Sequence, residues 1–221
     1  MKVIITGATG MVGKGVLIEC LESNVITEVL SISRRSLNMN HPKLKELIHK
    51  DFSEFESIKS NLKNYDACFA CMGVSAAGLN ENEYYKLTYH CTLSIAKTLH
   101  SLNPNMIYTY VSGQGTDSSE KGKSMWARVK GKTENDLIKL GFIKAYMFRP
   151  GAIIPVKGVI PSSKLYRVTL KYLGWLIKLI KLIVPNAVVN SAQIGKAMIQ
   201  LTQKEYPKTI IDPKDILKLV E

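Results

Sequence analysis

The residues best suited to chemistry in this 221-residue chain are three glycines, Gly7, Gly10 and Gly13. They are set in Thr6-Gly7-Ala8-Thr9-Gly10-Met11-Val12-Gly13, directly after the apolar run 2–6. Between a strand and a helix, such spacing cradles a phosphate: the first glycine turns tightly, the second lets the anion approach the backbone, and the third packs helix on strand. The segment that follows carries Val12, Val16, Leu17, Cys20 and Leu21 at helical period, and its N-terminus would offer free N–H groups and a positive dipole end to a pyrophosphate. A second group of residues selects the ligand. About twenty residues on, an acidic residue would bind a ribose 2′-hydroxyl, whereas this chain has Ser33-Arg34-Arg35-Ser36. Two guanidiniums suit a 2′-phosphate and an adenine face. The expected cofactor is therefore NADP(H) rather than NAD(H), bound by Gly7, Thr9, Gly10, Met11, Val12, Arg34 and Arg35.

Positioning such a site takes strands that end side by side. Short apolar runs at 2–6, 28–33, 44–49, 67–72, 106–111 and 143–148 alternate with segments of helical period at 11–23, 54–63, 81–102 and 124–140. That alternation predicts parallel strands with crossover helices, an α/β Rossmann fold with a doubly wound sheet. Ser53 and Asn80 precede acidic first turns, and Pro104 follows the third helix, as helix starts and stops require. The alternation ends at Arg149-Pro150-Gly151. Beyond it, helices at 163–184, 190–202 and 213–220 and a short strand at 209–211 are too little to fold alone. The chain thus reads as one domain over 1–221, with 152–221 largely a small helical C-terminal cap over the carboxyl ends of the strands.

Taken together, the glycine turn, Ser33-Arg34-Arg35, Asp51-Phe52 and Arg149-Pro150-Gly151 resemble the short-chain dehydrogenase superfamily. The resemblance is to its extended and atypical branch, with the sugar-nucleotide epimerases and dehydratases, the NmrA-like sensors and the Tat-interacting-protein oxidoreductases. It implies that Asp51 and Phe52 line the adenine, and that Met72, Gly73, Pro150, Gly151 and Ala152 lie along the nicotinamide. It also implies a Tyr-x-x-x-Lys pair, four residues apart on one helix face. Lys130 is present, as a catalytic and ribose-binding lysine, but Trp126 stands where the tyrosine belongs. An indole N–H cannot shuttle a proton. The catalytic hydroxyl of the family falls on Ser112, or, in an equally good alignment, on Gly113. Tyr84, Tyr85, Tyr89, Tyr108 and Tyr110 are the nearby phenols that would substitute, although a tyrosine in an α/β core is usually packing.

Three functions fit. The first is an NADP(H)-dependent oxidoreductase or epimerase-like enzyme on an unknown small molecule, since hydride chemistry belongs to the cofactor. The second is a non-catalytic redox sensor acting through a protein partner, motivated by Trp126. The third is a peripheral membrane protein: in 164–185, Lys164, Arg167, Lys171, Lys178 and Lys181 form one stripe beside a broad Leu, Ile and Trp face. A substrate lid or a homodimer interface also explains that face and is favoured for a globular chain.

The net charge of +12 does not point to nucleic acid, because only five of 30 basic residues are arginine and the lysines are dispersed. No metal is expected: Cys68 and Cys71 are three apart on a strand, so they face opposite sides, and His41, His49, His90 and His100 are scattered. Reduced cysteines and the lack of a signal-peptide pattern lead to the expectation of a cytoplasmic protein.

Overall fold

The computed structural model describes residues 1–159 and 188–221. Seven strands form one sheet: β1 (Lys2–Thr6), β2 (Glu28–Ser33), β3 (Leu44–Ile48), β4 (Ala67–Ala70), β5 (Ile107–Val111), β6 (Lys144–Phe148) and, from near the C-terminus, β9 (Ile210–Ile211). Their order is β3-β2-β1-β4-β5-β6-β9, and every neighbouring pair is parallel. β2 and β4 are buried on both faces because helices cover both sides of the sheet. On one face lie α1 (Met11–Glu22), α5 (Ser191–Leu201) and α6 (Pro213–Lys218), with Val16, Leu17, Ile194, Met198 and Ile216 in a common core. On the other lie α2 (Glu81–Tyr85), α3 (Cys91–Leu102) and α4 (Met125–Lys139), packed through Leu93, Leu99 and Leu137 onto Ile4, Cys68 and Tyr108. The order reverses between β1 and β4, and there the carboxyl ends of the strands open a crevice.

Several elements differ from their expected form. Within 54–63 the structure forms a 3-10 helix (Glu56–Leu62), a short element anchored to the core through Phe55, Ile58 and Leu62. The helix expected over 81–102 is interrupted by a π-helical turn (Lys86–His90), which brings Tyr85 and Tyr89 into a stack with centroids 4.5 Å apart. A second small sheet, β7 (Ala152–Ile154) paired in parallel with β8 (Val188–Asn190), uses three-residue strands too short to show a period.

The tail also requires correction. Residues 188–221 are built into the main layers: β9 extends the sheet beside β6, and α5 lies along α1, with Gly15 against Ser191 and Gly195 against Glu19. A cap beginning at 152 is therefore not what these residues form. The amphipathic segment 164–185 and the helix expected over 163–184 lie outside the described residues. Among the described residues, no helix is long and apolar enough to cross a membrane.

Candidate functional site

The glycine turn is shaped by contacts that leave no room for side chains. Gly7 has φ +76°, and a Cβ on it would lie 2.6 Å from the backbone of Cys71 and Met72. A Cβ on Gly13 would lie 2.2 Å from the Gly7 carbonyl oxygen, the same oxygen that accepts the Gly10 N–H at 2.9 Å. Gly10 caps α1 without a side chain, and the first turn carries no acidic residue. The opening N–H groups of the helix are thus left for an anion.

Around this turn two cavities adjoin, sharing Gly10, Cys71, Met72 and Gly73. One, of about 520 Å³, is lined by Gly7, Thr9, Ser33, Arg34, Arg35 and Phe52. The other, of about 540 Å³, is lined by Met11, Val12, Ser112, Lys130, Pro150 and Gly151. The cleft brings together most of the residues expected from the sequence, and a dinucleotide fits it: a phosphate cradle in the middle and a lobe on either side. Arg34 and Arg35 are exposed at the rim of the first lobe, where the Ser33 hydroxyl donates to the Arg35 carbonyl at 2.6 Å and fixes the strand-end turn.

Two expected residues are not in the lining. The Asp51 carboxylate turns back to Ser53, accepting from its hydroxyl at 2.6 Å and its N–H at 2.9 Å, and these bonds hold its carboxyl below the ordinary range. Ala152 opens β7, and its neighbour Ile153 lines the cleft instead. Ile32, Cys71, Val111, Gly113 and Gln114 also line it. Each flanks a residue the sequence did single out, so the carboxyl end of each strand was the usable signal.

The second lobe rests on a network the sequence did not reveal. Glu134, one turn beyond Lys130 on α4, is 0% exposed and paired with Arg149, whose Nε reaches both carboxylate oxygens at 3.1 Å. The Ser112 hydroxyl donates to Glu134 Oε1 at 2.5 Å, and the Ser112 carbonyl accepts from Lys130 Nζ at 2.5 Å. The ends of β5 and β6 and the middle of α4 are thereby tied together. Ser112 lines the lobe, yet its hydroxyl is committed to Glu134 rather than offered to a ligand. Burial pushes the Lys130 ammonium down to about 8, with Glu134 pulling the other way.

Trp126 does not fill the lobe. Its six-membered ring lies 3.4 Å from where a Cβ on Gly115 would be, packed against the loop after β5. None of the substitute phenols lines the cleft either. Tyr84, Tyr108 and Tyr110 are buried in the core, and the Tyr89 hydroxyl donates to Asp136 at 2.8 Å. Among the described residues, no group of three or more His, Cys, Asp or Glu is arranged to hold a metal ion.

Fold and cleft together define a doubly wound Rossmann protein with a dinucleotide cradle at its switch point. The profile of the NAD dependent epimerase/dehydratase family matches residues 3–125, and the chain belongs to that family, whose members bind a nicotinamide dinucleotide. Among curated proteins it is 31% identical over 158 residues to "Protein FMP52, mitochondrial" of Candida albicans, covering 70% of this chain and 68% of that one. Its fold resembles that of a UDP-N-acetylglucosamine 4-epimerase from Methanobrevibacter ruminantium (TM-score 0.67, 17% identity, 95% of this chain and 75% of that one). It equally resembles MoeE5, solved with UDP-glucuronic acid and NAD (TM-score 0.67, 14% identity, again 95% and 75%).

The relatives correct one expectation. Those from Candida albicans, Debaryomyces hansenii and Emericella nidulans are all named as mitochondrial, which overturns the cytoplasmic assignment. Reduced thiols suit any reducing compartment, and a missing secretory pattern bears only on secretion, so neither feature distinguished the cytosol from the mitochondrion.

Proposed function

We propose that this chain is an NADP(H)-dependent oxidoreductase acting on a small carbonyl-containing molecule in the second lobe of the cleft. The observation that carries the reading is a continuous cleft with Arg34 and Arg35 at one end and Lys130 at the other, left open where Trp126 replaces the tyrosine. When bound, the dinucleotide supplies hydride chemistry. The protein's part is to hold it: the first turn of α1 takes the pyrophosphate, Arg34 and Arg35 the 2′-phosphate, and Lys130 a ribose hydroxyl. The mitochondrial names of the relatives suggest that the reaction belongs to that organelle.

Calorimetric titration with NADPH and NADH tests the cofactor, and NADPH oxidation across aldehydes, quinones and UDP-linked sugars tests turnover. Tighter NADPH binding with oxidation of at least one class is the expected result. A non-catalytic redox sensor is the second reading, favoured by Trp126 and by the committed Ser112 hydroxyl. NADPH binding with no oxidation across the whole panel would select it.

A further inference from the structure

We propose that Lys130 is itself the proton donor to the substrate oxygen, a role that deepens and rests on the oxidoreductase reading. Elimination within the second lobe carries it. Among the described residues, the titratable side chains that line this lobe are Lys130 and Cys71. Burial pushes the Cys71 thiol up to about 12, which makes it a poor acid near neutrality. The Ser112 hydroxyl is committed to Glu134, and the Gln114 amide has no acidic proton to give. The indole one turn before Lys130 packs on Gly115 outside the lobe.

The ammonium is also placed for the task. It donates to the Ser112 carbonyl at 2.5 Å, and α4 beneath it is pinned by the Glu134–Arg149 pair. The groups that face it are Glu134 on α4, Arg149 after β6 neutralising that carboxylate, Tyr110 on β5 with its ring 5.9 Å from Nζ, and Cys71 after β4. Tyr110 is kept protonated by burial, so it cannot take the proton away. An ordinary lysine holds its proton too tightly to serve at neutral pH, whereas one brought near 8 has both forms populated.

The step balances. A bound reduced dinucleotide would supply the hydride and be oxidised in reducing the carbonyl, while an N–H bond of Lys130 breaks and an O–H bond forms on the substrate oxygen. The neutral amine then recovers a proton from water at the mouth of the cleft.

The first test needs no cofactor. Acetylation of Lys130 by acetic anhydride, followed against pH by mass spectrometry in the full chain, is expected to inflect near 8. In Glu134→Gln the inflection is expected to move lower, because the carboxylate that favours the ammonium is gone. An inflection at about 10.4, the free-lysine value, overturns the role.

The second test is single-turnover NADPH oxidation. Lys130→Met is expected to lose about 10²-fold or more, and Lys130→Arg, which keeps the charge but cannot release a proton, is expected to lose as much. NADPH affinity and circular dichroism report whether each variant is folded. An arginine variant within about threefold of wild type overturns the proton-donor role and leaves the oxidoreductase standing. A wild-type chain that oxidises no NADPH with any carbonyl overturns both.

Discussion

The two lobes of the cleft are made in opposite ways. The first is assembled from backbone and rim: glycines that admit a phosphate, and two exposed arginines following one strand. The second is assembled from a buried network of Ser112 just after β5, Lys130 and Glu134 on α4, and Arg149 just after β6. The exposed arginines of the first can change without disturbing the core, whereas the network of the second is inseparable from it. The difference separates residues whose change should act on ligand binding alone, such as Arg34 and Arg35, from residues whose change should act on the fold as well, such as Glu134 and Arg149.

The strongest way to break the second lobe is Glu134→Ala, which strands Arg149 without its partner. A loss of about 3–5 kcal/mol is expected for a buried pair broken on one side, read by thermal or urea unfolding. Stability close to wild type would mean that the network does not hold the lobe. The matching change in the first lobe, Arg34→Ala with Arg35→Ala, is expected to leave stability nearly untouched. It should weaken NADPH by about 10–100-fold while changing NADH by less than about threefold. Equal losses for both coenzymes in the titration would remove the 2′-phosphate assignment.

A pH experiment sharpens the contrast more gently. Lys130 is brought down to about 8 in the folded protein, against about 10.4 in an unfolded chain. Between those values the unfolded state binds the extra proton, so stability rises with pH across that window, and the full burden is present below it. A gain on the order of 3 kcal/mol across the whole window is expected in wild type and none of it in Lys130→Met; parallel pH profiles for the two would show that the lysine is not desolvated. The smallest effect is expected from Asp51→Asn, whose carboxylate faces Ser53 and not the cleft. Dinucleotide affinity should stay within about twofold of wild type, and a larger loss in the same titration would return Asp51 to the site.

Legibility in the sequence follows the same division. Gly7, Gly10 and Gly13 announce themselves because a phosphate turn is local, and Arg34-Arg35 because the ligand-selecting position lies at a fixed distance along the chain. The six strands through β6 were readable from apolar runs bounded by turn residues. Glu134 was not, because a glutamate on a helix reads as surface until Arg149, on another element, is seen beside it. Asp51 was misjudged for the complementary reason: resemblance supplied its place in the chain, while its side chain found a nearer partner in Ser53. The role of 188–221 in the main layers was hidden because β9 has only two residues, and its pairing with Met147 and Phe148 is a long-range choice.

The packing of Trp126 against Gly115 has a practical consequence. The chain contains two tryptophans, Trp126 and Trp175, and the first sits beside the loop that lines the second lobe, one helical turn from Lys130. With Trp175→Phe, indole emission would come from that position alone. Reduced nicotinamide absorbs where indole emits, so quenching of Trp126 with sensitised nicotinamide emission would give an optical ruler for occupancy of this lobe. The residue that displaced the family's tyrosine is thus a built-in fluorophore for watching the cofactor arrive.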